Sequence, residues 1–261
     1  MHPYLAAERP HLFGHRGASG EAPENTLPAF ELALAQGMGF LEMDCHATLD
    51  GEIVILHDPV VDRISDGSGP IRELRFAEVE KLDAGYHFSP DGRHHPFRGR
   101  GVRIPRLEEV LEAFPEARIN LEIKQAEPPI AAEVLDRVRC ADAGPRVLLA
   151  AAEEPIMQAL HALQPETAIG SSIQDVRDFF QAFHQGSIES FRVRGHALQI
   201  PPRVGGQTLV SAESVRAAQR VGLAVHVWTI NDPREMRELL GLGVDGIMTD
   251  FPRRLRAIVG R

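Results

Sequence analysis

Two histidines, two cations and three carboxylates recur in a regular setting along this chain. His15-Arg16 follows the apolar run His11-Leu12-Phe13-Gly14, and His57-Asp58 ends the run Ile53-Val54-Ile55-Leu56. Glu42 and Asp44 lie two apart in Phe40-Leu41-Glu42-Met43-Asp44, and Glu122 and Lys124 repeat that spacing after Arg118-Ile119-Asn120-Leu121. On a strand, such spacing sends both side chains to one face. Ionisable groups gathered at strand ends are costly to bury unless they pair or bind something. If they converge, Glu42, Asp44 and Glu122 form a hard oxygen site for one divalent cation, Mg²⁺ or Ca²⁺, open to water and substrate. The competing reading is an ion-pair cluster in which Arg16 and Lys124 neutralise those acids. His15 and His57 at neighbouring strand ends add an acid–base pair, one taking a proton from a nucleophile and one donating to a leaving group.

These residues need a scaffold that brings consecutive strand ends together. Further runs of buried-strand length lie at 146–150, 168–171, 196–200, 224–229 and 246–249, rich in Val, Ile, Leu and Ala. Between the runs apolar residues recur at helical spacing, first at Leu27, Phe30, Leu34 and Met38. Asn25 or Thr26 is placed to cap that helix, with Pro28 in its first turn and Gly37 at its stop. Similar patterns cover 108–114, 130–138, 156–163, 176–183, 214–220 and 234–240. Eight β-then-α units predict a (β/α)8 TIM barrel, with a doubly wound open sheet as the less favoured parallel alternative. From Asp58 to Arg103 the rhythm breaks in a stretch punctuated by Gly and Pro. We read it as a small insertion after the second strand unit, carrying one short helix near 76–82. Residues 1–261 then form a single barrel domain. Catalytic groups of such barrels gather at the C-terminal ends of the strands, where the charged residues fall.

Composition narrows the function further. Of 261 residues, 43% are apolar and 25% charged, the balance of a soluble globular chain. Acids outnumber bases 37 to 28, for a net charge of -9, which excludes the basic footprint of a nucleic-acid binder. No apolar run approaches the roughly 18 residues of a membrane helix. Cysteine occurs only at Cys45 and Cys140, too few for a disulfide scaffold. The first residues lack the pattern of a secretory leader, so a cytoplasmic enzyme or small-molecule binder is expected. Trp228, the single Trp, is either packing or the apolar wall of a pocket. Gln199, Thr229 and Asn231 fall at later strand ends, where hydrogen bonding within the barrel is expected. The run Arg93 to Arg100 holds three Arg and two His; it reads as a solvated loop or a contact for an anionic headgroup or lipid surface.

In order and spacing, several segments together resemble the glycerophosphodiester phosphodiesterase family. They are His15-Arg16-Gly17, Pro23-Glu24-Asn25-Thr26, Glu42-Met43-Asp44, His57-Asp58, Leu121-Glu122-Ile123-Lys124, Val227-Trp228-Thr229-Ile230-Asn231 and Gly246-Ile247-Met248-Thr249-Asp250-Phe251-Pro252. The resemblance implies a TIM barrel and metal-dependent hydrolysis of a small-molecule glycerophosphodiester to glycerol 3-phosphate plus an alcohol. It implies Glu42, Asp44 and Glu122 as metal ligands, His15 and His57 as the acid–base pair, and Arg16 and Lys124 as phosphate contacts. The nucleophile is water or the glycerol 2-hydroxyl. A lysophospholipase D-type enzyme is one alternative, its acyl-chain groove then expected in the insertion. A non-catalytic phosphate-ester binding protein is the other. The chain departs from many relatives at Leu148 to Glu154, where a Ser-Phe pair is missing.

Overall fold

The computed structural model describes residues 2–260. Its strands, in chain order, are β1 (His11–Gly14), β2 (Phe40–Ala47), β3 (Ile53–Ile55), β4 (Arg118–Ile123), β5 (Val147–Ala150) and β6 (Ala168–Ile169). They continue with β7 (Ala197–Ile200), β8 (Arg203–Val204), β9 (Gln207–Thr208), β10 (Ala224–Val227) and β11 (Gly246–Thr249). Eight of these pair in parallel in the order β6-β5-β4-β2-β1-β11-β10-β7. The seam between β6 and β7 is joined by a parallel bridge from Gly170 to Ala197. There the His196 N–H donates to the Ile169 carbonyl at 2.7 Å and the Ser171 N–H to Ala197 at 3.0 Å. That seam brings the two ends of the sheet together, so the architecture is the expected (β/α)8 TIM barrel.

Strand alternation divides the apolar residues between two cores. Leu12, Leu41, Met43, Ile119, Leu121, Leu149, Val225 and Ile247 face outward and join the large cluster under the helices. Phe13, Phe40, Leu148, Ala168, Ala197, Ala224 and Met248 fill the barrel, together with Tyr4 and Leu5 from a short 3₁₀ turn, Pro3–Leu5. The Tyr4 ring meets Phe40 edge-on at 5.4 Å, at the N-terminal end of the strands. Inward positions nearer the C-terminal end are polar: Glu42, Asp44, Asn120 and Glu122.

The helices are α1 (Leu27–Ala35), α2 (Phe76–Val79), α3 (Leu107–Ala113), α4 (Ala131–Cys140), α5 (Glu154–Leu163), α6 (Ile173–His184), α7 (Ala212–Arg220), α8 (Pro233–Leu242) and α9 (Pro252–Val259). The last was not read from the sequence, although Leu255, Ile258 and Val259 carry its apolar face. None of the described helices is long and apolar enough to cross a membrane.

Three local expectations are corrected. The run at 53–56 is not a barrel strand: β3 folds back antiparallel on β2, with Cys45 opposite Ile55 and Ala47 opposite Ile53. Neither candidate cap uses its side chain on α1. The Thr26 hydroxyl donates to the Pro23 carbonyl at 2.6 Å, and Asn25 turns instead to Asp44. Finally, Val61, Ile71, Val79, Ala84 and Val102 of the insertion form a separate small core with the flanking Val54, Leu56 and Ile104. Its buried apolar residues are spent on one another, which argues against an acyl-chain groove inside it.

Candidate active site

The loop after β1 is built tightly. Arg16 has φ +52 and Gly17 φ +82, a left-handed pair that reverses the chain against α1. A Cβ at Gly17 would sit 2.6 Å from the backbone of Ala29, so only glycine fits. This turn aims the Arg16 N–H at Glu42 Oε2, 2.9 Å away, and places the Arg16 Nε 3.2 Å from Asp44 Oδ2. Asn25 donates to Asp44 at 2.9 Å and accepts from the Asp44 N–H at 3.3 Å. Lys124, just beyond β4, places its Nζ 2.7 Å from Glu122 and 3.2 Å from Asp44.

Glu42, Asp44 and Glu122 converge, each offering one carboxylate oxygen within 4.8 Å of the others. The metal-site and ion-pair readings of the sequence therefore describe the same cluster. Three acids face two cations here, so the cluster carries surplus negative charge. Burial, reinforced by the neighbouring Asp44 and Glu122 carboxylates, pushes Glu42 up to about 7. Burial also pulls Asp44 upward, but Lys124 and Arg16 outweigh it and hold Asp44 below its ordinary value. A carboxylate pushed toward its protonated form by burial and by like-charged neighbours is suited to a divalent cation, which would relieve the repulsion. The all-oxygen donor set fits a hard ion.

Both histidines present a shared geometry. His15 Nδ1 lies 2.6 Å from Asp250 Oδ1, and His57 Nδ1 lies 2.6 Å from Asp58 Oδ1. Each carboxylate favours the tautomer with the proton on Nδ1, leaving Nε2 with its lone pair. His15 Nε2 lies 3.8 Å from Glu42 and 3.5 Å from the Thr229 hydroxyl. Burial disfavours the His15 imidazolium, yet Glu42 and Asp250 together raise its pKa. Asp250 also accepts from Ser19 at 2.8 Å and Asn231 at 2.6 Å; although burial opposes ionisation, these bonds and His15 bring it down to about 2.

Arg63, at the base of the insertion, bridges two supports. It donates to Asp58 at 2.5 Å and to both oxygens of Glu24 at 2.7 and 2.8 Å, while Glu24 accepts from Arg16 at 3.1 Å. The sequence marked Asn25 only as a candidate helix cap and assigned no role to Asp250, Glu24 or Arg63. The first three sit inside the quoted motifs, and Asp250 follows a strand end like the residues that were chosen. Nothing in the spacing of Arg63 marked it.

His15, Arg16, Glu42, Asp44, His57, Glu122, Lys124 and Trp228 all line one cleft of about 1180 Å³ at the C-terminal mouth of the barrel. Thr229 and Gln199 line it too, Gln199 donating to Asn120 across the barrel at 2.6 Å. The departure at Leu148 to Glu154 also reaches the cleft, through the small side chains of Ala150, Ala151 and Ala152. The basic run at 93–100 does not line it. Asp91 accepts from His94 at 2.6 Å, and Arg98 lies over the Tyr86 ring at 4.2 Å.

Fold and site together define a barrel hydrolase with an acid cluster, two oriented imidazoles and two cations at one mouth. Sequence comparison gives the family: the profile of the glycerophosphoryl diester phosphodiesterase family matches residues 15–254. A glycerophosphodiester phosphodiesterase of Bacillus altitudinis is 30% identical over 251 residues, covering 93% of this chain and 95% of its own. Lysophospholipase D GDPD1 of Homo sapiens is 28% identical, over 93% of this chain and 83% of its own. A solved phosphodiesterase of Oleispira antarctica, in complex with the product sn-glycerol-3-phosphate, superposes with a TM-score of 0.77 at 27% identity, covering 97% of both chains. The chain belongs to the glycerophosphoryl diester phosphodiesterase family and is a phosphodiesterase. That membership sets aside the non-catalytic alternative.

Proposed function

We propose that the enzyme hydrolyses glycerophosphodiesters such as glycerophosphocholine and glycerophosphoethanolamine to glycerol 3-phosphate and an alcohol. The reading rests on one observation above all: the candidate acids, imidazoles and cations, drawn from two barrel strands and the loops around them, open onto a single cleft. Glu42, Asp44 and Glu122 would hold one divalent cation, Mg²⁺ or Ca²⁺. When bound, that ion supplies Lewis-acid polarisation and positive charge for the phosphate oxygens. Arg16 brings a planar guanidinium that can grip two phosphate oxygens, and Lys124 a point charge. Both answer the charge that accumulates on the equatorial oxygens in the transition state. One imidazole takes the nucleophile's proton at Nε2; the other gives its Nε2 proton to the oxygen of the departing alcohol. For in-line displacement the two act on opposite sides of phosphorus. Trp228 forms an apolar wall for the organic part of the substrate.

The same proposal treats residues 1–261 as one domain working in the cytoplasm, in keeping with two free cysteines, Cys45 buried and Cys140 exposed. The test is release of glycerol 3-phosphate from glycerophosphocholine by EDTA-stripped protein, before and after return of Mg²⁺, Ca²⁺ or Mn²⁺. Turnover restored by an ion is expected. Full turnover without metal would remove the acid cluster from the mechanism, and none with any ion would overturn the substrate class.

A further inference from the structure

The two candidate imidazoles reach the cleft on unlike supports. His15 extends the barrel ladder, its backbone N–H donating to the Thr249 carbonyl at 2.9 Å. His57 stands outside the barrel, on the hairpin that returns through β3. On that hairpin the Leu56 N–H donates to the Asp44 carbonyl at 2.9 Å, one residue short of His57. At His57 itself a side chain takes over: His46 Nε2 lies 3.1 Å from the His57 carbonyl oxygen. A carbonyl only accepts, so Nε2 carries the proton and donates it.

His46 is buried and does not line the cleft. The two-residue period puts it on the same face of β2 as Glu42 and Asp44, where spacing alone would nominate it as a further metal ligand. Its contacts say otherwise. The converging oxygens are those of Glu42, Asp44 and Glu122, and the His46 Nε2 is committed to His57. The strand end that carries the ring is pinned on both sides. His46 stands opposite Val54 in the hairpin, and the Lys124 N–H donates to the Cys45 carbonyl at 3.1 Å. The Ala47 N–H donates to Gln125 Oε1 at 3.2 Å, and the Gln125 amide donates to the Pro128 carbonyl at 3.1 Å. The donor is thus fixed to the same end of the barrel that presents Lys124.

We infer that His46 is the positioning residue for His57. The carbonyl it holds belongs to the peptide that joins His57 to Asp58. That unit is planar, so fixing its oxygen orients both flanking Cα atoms. From those two atoms spring the imidazole and the carboxylate that meets its Nδ1 at 2.6 Å. One donor from the barrel therefore aims the pair as a unit, although the His57 side chain is itself 31% exposed. A misplacement of about 1 Å at a reacting group can cost about 10²-fold in rate. The inference rests on the phosphodiesterase reading above, in which His57 Nε2 exchanges a proton with the nucleophile or the departing alcohol. His46 touches neither.

The experiment is a mutant cycle read with glycerophosphocholine in the ion that supports native turnover. His46→Leu, which fills the space without a donor, should lower kcat about tenfold and leave KM within about twofold, because Arg16 and Lys124 still hold the phosphate. His46→Gln should bring kcat back to within about threefold of native, since its amide nitrogen can stand where Nε2 stands. In a His57→Ala background the Leu substitution should cost nothing further, because His46 acts only through His57. General damage to the barrel would lower both backgrounds alike. Metal affinity of His46→Leu, by calorimetry, should match native. If His46→Leu does not fold, His46→Asn, polar but too short to reach the carbonyl, takes its place. Near-native kcat without the donor, an equal loss in the His57→Ala background, no recovery with Gln, or a collapse of metal affinity would each overturn the inference. A native enzyme that turns over no glycerophosphodiester, or a His57→Ala variant with near-native turnover, would overturn the reading on which it rests.

Discussion

The two imidazole–carboxylate pairs have the same 2.6 Å bond and opposite surroundings. Asp250 is satisfied by neutral donors, Ser19 and Asn231, within the barrel mouth, and it shares His15 with the nearby Glu42. Asp58 is held by a cation, Arg63, on the exposed base of the insertion. Burial works against ionisation of both carboxylates, yet hydrogen bonds and charge set each at about 2, His15 leading for one and Arg63 for the other. One pair therefore lies in an unbalanced negative field, and the other in a field already neutralised. Equal geometry is thus set in unequal electrostatic surroundings.

The largest effect expected is from the imidazoles themselves. His15→Ala and His57→Ala should each lower kcat by about 10²-fold or more, the scale of acid–base catalysis; a variant with near-normal turnover would drop its residue from the pair. Asp250→Asn should cost about tenfold, as for other orienting partners of a histidine. It removes a negative charge that raises the His15 pKa, so the limb of the pH–kcat profile set by His15 should move to lower pH. A profile that keeps its shape while only its height falls would reduce Asp250 to packing. The acid cluster should show itself in calorimetry. With Glu42 at about 7, a cation must displace its proton below that pH, so affinity should weaken by up to about tenfold per pH unit as acidity increases. Metal affinity flat from pH about 8 to 6 would contradict that sign.

Arg63→Ala sharpens the comparison at smaller amplitude. Its ion pairs are half exposed, so a loss of about threefold to fivefold is expected, shared between kcat through Asp58 and KM through Glu24 and Arg16. The smallest effect is on stability, from His11 and His226, which meet at 3.1 Å inside the barrel. Burial lowers both pKa values below the ordinary 6.5, and for His226 the lowering is marked. The unfolded chain then binds more protons once pH falls below about 6.5, so the stability present above that value is lost on acidification. Urea midpoints at neutral pH and at pH about 5.5 should show the decline, and His226→Gln should flatten it.

Much of this arrangement was legible because barrel strands obey a two-residue period. Glu42 with Asp44 announced a shared inward face, and the polar end of each apolar run announced the mouth. What was hidden depends on long-range contact. Asp250 reaches His15 across 235 residues, and nothing in either segment specifies the other. The role of Asn25 was misread because a capping residue and one that holds a buried carboxylate look alike before the strand that receives them is placed. The stripe at Ile173, Val176 and Phe180 carries the same periodicity as a core-facing helix, and only the folded chain shows that it borders the cleft while Val176 and Phe180 also pack on the core. Position 57 was assigned to a strand end, whereas it arrives on a returning hairpin; the two share a local pattern and differ only in the partner of β3.

The turn that lodges Tyr4 and Leu5 in the barrel, both almost fully buried, has a consequence for traffic. Among the described residues that end is stoppered, and the cleft opens at the opposite end of the barrel. Substrate, water and both product fragments pass through the same mouth, in turn, so a product that lingers is an obstacle to the next arrival.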